Sequence, residues 1–227
     1  MFVKDWMKKD VVVVNKNDTI LDALHLMREH GFRRLPVLDG EKLVGIITEK
    51  DIKDFSPSKA STLDIYELHN ALAKYEVKDA MTTDVITVRP EDPIEKAAII
   101  LRDKRFGGLP VVNDKGKLVG LITAVDVFDV FVEAMGIREK GVRINILVED
   151  KPGAIAELAK IVKQFSLNII SLATFYIKEK PGLRDLVLRI NGDEKNIELC
   201  VEEIKKAGFD VTSVLKMGDI NGVQLYN

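Results

Sequence analysis

Two threonine–aspartate pairs are the residues of this chain best suited to chemistry: Thr48 with Asp51, and Thr123 with Asp126. Each pair closes a G-x-x-T-x-x-D run, Gly45 to Asp51 and Gly120 to Asp126, between an apolar stretch and a polar, helix-forming one. A threonine at a helix N-cap with an acidic residue three positions on satisfies the free N–H groups of the first turn. The same location favours anions, because those N–H groups and the helix dipole point outward together. A threonine hydroxyl there can meet a phosphate, and an aspartate can accept both hydrogens of a ribose diol. Capping and ligand binding are compatible, so the pattern predicts the caps and leaves the ligand open. Gly45 and Gly120, inside predicted strands, fit places where a backbone or a ligand approaches closely.

The pairs recur because the chain repeats itself. KLVGIITEKD at 42–51 is rewritten as KLVGLITAVD at 117–126. Upstream, VKDWMKKDVVVVNKND (3–18) aligns without a gap to VKDAMTTDVITVRPED (77–92), and FRRLPVLD (32–39) to FGGLPVVN (106–113). One inserted residue in the following turn separates the copies. Each copy is too small to bury its own apolar face, so two should pack as one module.

The elements that would position these residues follow from local pattern. In the first copy, 11–14 reads as a buried β-branched strand. A helix over 19–30 has Asp18 as its cap, Ile20, Ala23, Leu24 and Met27 on one stripe, and Gly31 at its end. Strands at 35–38 and 43–47 flank an Asp39-Gly40 hairpin turn, and a second helix begins near Thr48. In the second copy Asp92-Pro93-Ile94-Glu95 combines a cap, a proline at the first helical position and a third-position glutamate. Between the copies lie a polar loop at 56–60 and a predicted helix over 63–75. After the second copy a helix over 126–135 leads to a boundary at 136–141. Beyond it come a strand at 142–148, a turn at 149–153 with Asp150 as cap, and a helix over 154–165 with Ile155, Leu158, Ala159 and Val162 inward. Strands at 168–177 and 184–190, a helix over 194–207 ended by Gly208, and a strand at 210–215 complete a β-α-β-β-α-β order, that of a ferredoxin-like sandwich.

Composition narrows the function classes. An apolar fraction of 46% is ordinary for a globular protein. Thirty-four basic and 36 acidic residues give a net charge of -2, no electrostatic basis for nucleic acid or an anionic membrane. The chain opens on charged residues without an apolar leader, and no run is long enough to cross a bilayer, so the expected location is cytoplasmic. The lone Cys200 excludes an internal disulfide and fits a buried thiol. His25, His30 and His69 lack metal-ligand spacing, and no phosphate-binding glycine loop, nucleophile elbow or zinc motif is present. No catalytic residue, metal site or required cofactor is therefore assigned.

The LPV triplets at Leu35-Pro36-Val37 and Leu109-Pro110-Val111, with the two G-x-x-T-x-x-D runs, resemble the CBS motif, and the two copies resemble a CBS pair, or Bateman module. Asp150-Lys151-Pro152-Gly153 after the first C-terminal strand, and Asn168-Ile169 opening the second, look like an ACT domain. The combination is similar to the acetoin-utilisation protein B-like family. The expected fold is mixed α+β and α/β: CBS motif 1 at 1–55, a linker with a helix at 56–76, CBS motif 2 at 77–136, an ACT domain at 141–217 and a tail at 218–227.

That resemblance implies a non-catalytic sensor whose CBS pair holds an adenosine-type ligand: AMP, ADP, ATP or an S-adenosyl compound. The residues it points to are Arg33, Arg34, Gly45, Thr48, Asp51, Gly120, Thr123 and Asp126. The arginines would reach ligand phosphates, while Gly107-Gly108 in the second copy leave room there for a ligand or a partner. In the ACT domain it implies a small effector such as an amino acid, cradled by Asp150, Pro152, Gly153, Asn168 and Ile169 at a homodimer interface. The regulated protein partner is unnamed. The alternative is an interaction scaffold whose caps are only caps.

Overall fold

In a computed structural model of the chain, which describes residues 1–55 and 72–217, the segment preceding each repeat copy is built into the other copy. Helix α1 (Val3–Trp6) docks on the second copy: Val3 N donates to Asp92 O at 3.0 Å and Lys4 N to Pro90 O at 2.9 Å. Just beyond it, Lys8 and Leu121 exchange two backbone bonds of 2.9 Å. The equivalent helix α4 (Val77–Ala80) docks on the first copy, with Val77 N to Asp18 O at 2.8 Å, and Thr82 exchanges two 2.9 Å bonds with Ile46. Val3 and Val77, both fully buried, drive the exchange; Val77 completes a cluster with Ile20, Met27, Leu35, Val37 and Ile47 of the first copy. Each such side chain contributes roughly 1.5–3 kcal/mol of burial.

The first copy comprises β1 (Val14–Asn15), α2 (Ile20–His30), β2 (Arg34–Asp39), β3 (Lys42–Thr48) and α3 (Glu49–Phe55). Its sheet runs β1-β2-β3, with β2 and β3 an antiparallel hairpin. The second copy has α5 (Ile94–Lys104), the hairpin β4 (Gly108–Val112) with β5 (Leu118–Thr123), and α6 (Ala124–Ala134).

Three local expectations are corrected. Of the β-branched run only Val14 joins the ladder, together with Asn15 after it, because the residues before them leave to cross to the other copy. Thr19, not Asp18, caps α2: its hydroxyl accepts from Asp22 N at 3.1 Å, and Asp22 accepts from Thr19 N at 3.1 Å. Asp92 does not cap α5, whose N-cap is Pro93. Asp18 and Asp92 instead close the turns that precede the helices, accepting from the backbone N–H three positions upstream at Asn15 (2.7 Å) and Arg89 (2.8 Å). Most of the helix expected over 63–75, and the tail at 218–227, lie outside the described residues.

The chain divides into two units, Met1–Phe128 and Asp129–Asn227. The second is built from β6 (Gly141–Glu149), α7 (Ala154–Gln164), β7 (Asn168–Tyr176), β8 (Leu183–Asn191), α8 (Glu194–Lys206) and β9 (Asp210–Met217). All pairings in its sheet are antiparallel, in the order β7-β8-β6-β9, which is the ferredoxin-like arrangement. Ile144, Ile146, Leu186, Leu188 and Ile190 meet Leu158, Val162, Cys200 and Ile204 in the core. Ile161 joins that stripe and Ile155 does not, being 46% exposed: the buried face of α7 starts at Ala154 and recurs at 158, 161 and 162. Asp150 is no cap either, since Gly153, at φ 100°, holds the N-cap position.

Candidate functional site

At the end of β3, Thr48 N and Thr48 Oγ1 both donate to Asp51 Oδ2 at 2.8 Å, and Asp51 N donates to Thr48 Oγ1 at 3.2 Å. At the end of β5, Thr123 N and Oγ1 reach Asp126 Oδ2 at 2.7 and 2.6 Å, and Asp126 N returns to Thr123 Oγ1 at 3.3 Å. Both pairs are thus reciprocal caps. In each, one carboxylate oxygen carries the cap bonds, and no described residue bonds the other. Asp126 is 7% exposed, so a hydroxyl reaching its second oxygen would bond to a largely desolvated carboxylate.

The basic residues stand where the hairpins begin. Arg34 lies opposite Thr48 in the β2–β3 ladder, and Arg33 O accepts from Glu49 N at 3.1 Å. Neither guanidinium has an ion pair with a described residue. The equivalent positions differ: Gly108 lies opposite Thr123, and Gly107 O accepts from Ala124 N at 3.3 Å. The space at Gly107 is not open. A Cβ built there would stand 2.9 Å from Arg34 Nη2, so the first copy's arginine fills the room left by the second copy's glycine.

Gly45 and Gly120 serve the exchanged segments. A Cβ on Gly45 would fall 2.5 Å from Met81 Sδ and 3.0 Å from Thr82 O; on Gly120 it would fall 2.6 Å from Met7 Sδ and 3.0 Å from Lys8 O. The close approach is that of protein backbone and methionine, and these glycines act as packing residues beneath the site.

A cavity of about 220 Å³ opens at the start of β3, lined among others by Lys42, Leu43, Val44, Thr83, Thr87 and Val112. From Gly45 to Thr48 burial alternates, with Gly45 and Ile47 in the core and Ile46 and Thr48 on the other face; a bulge at Val44 separates this run from the cavity. Thr48 and the cavity's Val44 are four residues apart along β3, about 13 Å. Lys42, Thr83 and Thr87 went unmarked in the sequence. Lys42 belongs to the same strand as Thr48, but the threonines reach β3 only through the exchange.

In the second unit the expected effector residues separate. Asp150 pairs with Arg184 at 2.9 Å, and Pro152 and Gly153 lie in the same exposed turn. Asn168 and Ile169 open β7 at the opposite end of the sheet. Asn168 pairs with Asn191 and Glu149 with Leu183, eight residues apart along β8, roughly 26 Å. Within one chain the two groups do not meet. A cavity of about 260 Å³ adjoins the turn, lined by Glu149, Lys151, Glu157, Leu183 and Phe209. Among the described residues no group of three or more His, Cys, Asp or Glu is placed to hold a metal, and no helix is long and apolar enough to cross a membrane.

Two exchanged β-α-β-β-α copies carrying paired Thr–Asp caps, followed by a ferredoxin-like sandwich, define the architecture of a CBS pair joined to an ACT-like domain. Comparison agrees: residues 3–58 and 77–133 match the CBS domain, and residues 140–215 match the TTHA0829-like ACT domain. The chain is 35% identical to the uncharacterized protein MJ1426 of Methanocaldococcus jannaschii over 58% of its own length and 92% of the relative's. It is 33% identical to an inosine-5'-monophosphate dehydrogenase of Korarchaeum cryptofilum over 74% of its length, but spans only 32% of that enzyme. The crystal structure of protein MJ1225 from Methanocaldococcus jannaschii superposes with a TM-score of 0.51 at 30% identity, over 57% of this chain and 47% of the other. The chain belongs to the CBS-domain family, with a C-terminal ACT-type domain.

Proposed function

We propose that this protein is a non-catalytic regulator whose CBS pair binds an adenosine-type ligand: a mononucleotide, ATP or an S-adenosyl compound. The observation that carries the reading is the conjunction at β3. A helix-start threonine, and an aspartate with one oxygen that no described residue bonds, stand at the end of the strand that lines a cavity; Arg34 lies opposite the threonine, and neither Arg33 nor Arg34 has an ion pair with a described residue. The span of about 13 Å suits a base in the cavity, a ribose diol at the aspartate and phosphate at the threonine and arginines. Adenosine ligands held in this way are what the CBS family implies.

Binding would regulate by favouring one of two conformations, which requires a different affinity for each. The ACT-type domain would join two chains, because its sheet ends in the edge strands β7 and β9. An amino-acid effector at the Asp150–Gly153 turn would then draw Asn168 and Ile169 from a second chain, since its own are remote. A cytoplasmic location and a role near acetoin utilisation rest on resemblance alone.

The test is calorimetry of AMP, ADP, ATP and S-adenosylmethionine on the wild type and on the double variant D51A/D126A. A ligand that binds the wild type and not the folded double variant supports the sensor. Equal binding by both, or none by a folded wild type, favours the scaffold reading, in which the caps are only caps.

A further inference from the structure

On the face of the second unit's sheet away from its helices, Arg189 is buried to 7% exposure, and its Nε and Nη1 have no hydrogen-bond partner among the described residues. Directly opposite it across the β6–β8 ladder stands Arg143, and directly opposite on the other side, across β7–β8, stands Ser171. The three residues form one row across three strands. Arg143 is half-buried, and neither arginine has an ion pair with a described residue. The acid nearest along this face, Asp185, is four residues from Arg189, and both its oxygens accept from Asn145 Nδ2 at 3.3 Å. Ser171 donates to Met135 O at 2.9 Å, so the turn at Met135–Gly136 covers that end of the row.

A guanidinium does not relieve burial by losing its proton. A buried charge without a partner is among the costliest arrangements in a protein, and like charges directly opposite on a ladder repel. Both causes, burial first and Arg143 second, push the Arg189 pKa down. An exposed arginine would leave these costs to water; here an anion bound at the row would remove them together.

We propose that the row Arg143–Arg189–Ser171 is an oxyanion site, taking the carboxylate or phosphate group of a small effector, with Arg143 on its open side. It lies apart from the Asp150–Gly153 turn and does not rest on the nucleotide reading.

The experiment is thermal unfolding of the full chain in rising sodium phosphate and, separately, sodium acetate, with sodium chloride holding ionic strength constant. A saturable rise of several degrees is expected in the wild type, absent in R189M, weakened in R143M and unchanged in D51A/D126A. The better of the two salts separates a phosphate site from a carboxylate site. The proposal is overturned by a wild type that responds to neither salt beyond chloride, by an R189M variant that keeps the response, or by stabilisation that follows protein concentration rather than the added anion. The last would mean that a second copy supplies the acid. If R189M does not fold, the Arg189 Nε–H resonance of the wild type decides: it shifts saturably with the anion, or the site does not exist.

Discussion

The Arg34 guanidinium lies against the Cα of Gly107, in the other repeat copy, where a Cβ would come 2.9 Å from Nη2 and 3.3 Å from Cζ. The positions that align as Arg33-Arg34 and Gly107-Gly108 are thus complementary as well as different: one copy supplies the cation and the other the space for it. The clashing atoms belong to the end of a flexible side chain, so Gly107→Ala should cost under about 1 kcal/mol in urea denaturation. A larger loss would show that Arg34 is held rigidly in place.

Gly45→Ala and Gly120→Ala should behave otherwise. Here the added methyl meets not only a methionine but a backbone carbonyl at 3.0 Å, fixed by the crossing bonds of Thr82 and Lys8. Each substitution should destabilise by about 1–3 kcal/mol, the usual range for overpacking. Denaturation midpoints indistinguishable from the wild type would show that the exchanged segments yield easily.

Asp51→Ala and Asp126→Ala each remove a cap acceptor and should cost about 1 kcal/mol apiece. They should also abolish the response to adenosine ligands. Thr48→Ser and Thr123→Ser keep the hydroxyl and should retain most of both properties. Serine variants that fold but bind nothing would point to the threonine methyl group rather than to the cap chemistry.

The Asp150–Arg184 pair makes a pH prediction. A hydrogen bond from Arg184 holds the Asp150 pKa below its ordinary 3.8. A depressed folded-state pKa means that the pair's contribution is present above the ordinary value and fades as pH falls through the lowered one. The stability difference between wild type and D150N should therefore be constant near neutrality and shrink only below pH 3.8. A difference that changes around neutral pH would assign the effect to another group.

Cys200 is fully buried, and burial raises its thiol to about 11 from 9.0. The folded protein should resist iodoacetamide near neutral pH and become alkylated only on unfolding, as read by intact mass. Its raised pKa favours the folded state below pH 9.0, a contribution lost as pH climbs toward about 11. Rapid labelling under native conditions would reveal local opening of α8.

Much was determined by the sequence alone. The internal repeat, the two Thr–Asp caps, the Gly31 helix end at φ 67° and the β-α-β-β-α-β order are local or periodic features, written in spacing and residue type. What tertiary structure decided is which copy each segment serves. No local pattern tells Val3 to fill the second copy or Val77 the first, because either copy offers the same apolar hole and only chain geometry selects between them. The reasons for Gly45, Gly107 and Gly120 lie in that choice, as does the cavity shared by β3 with Thr83 and Thr87. Likewise Arg143 and Arg189 are 46 residues apart and unremarkable in the sequence; only the register of β6 on β8 sets them face to face.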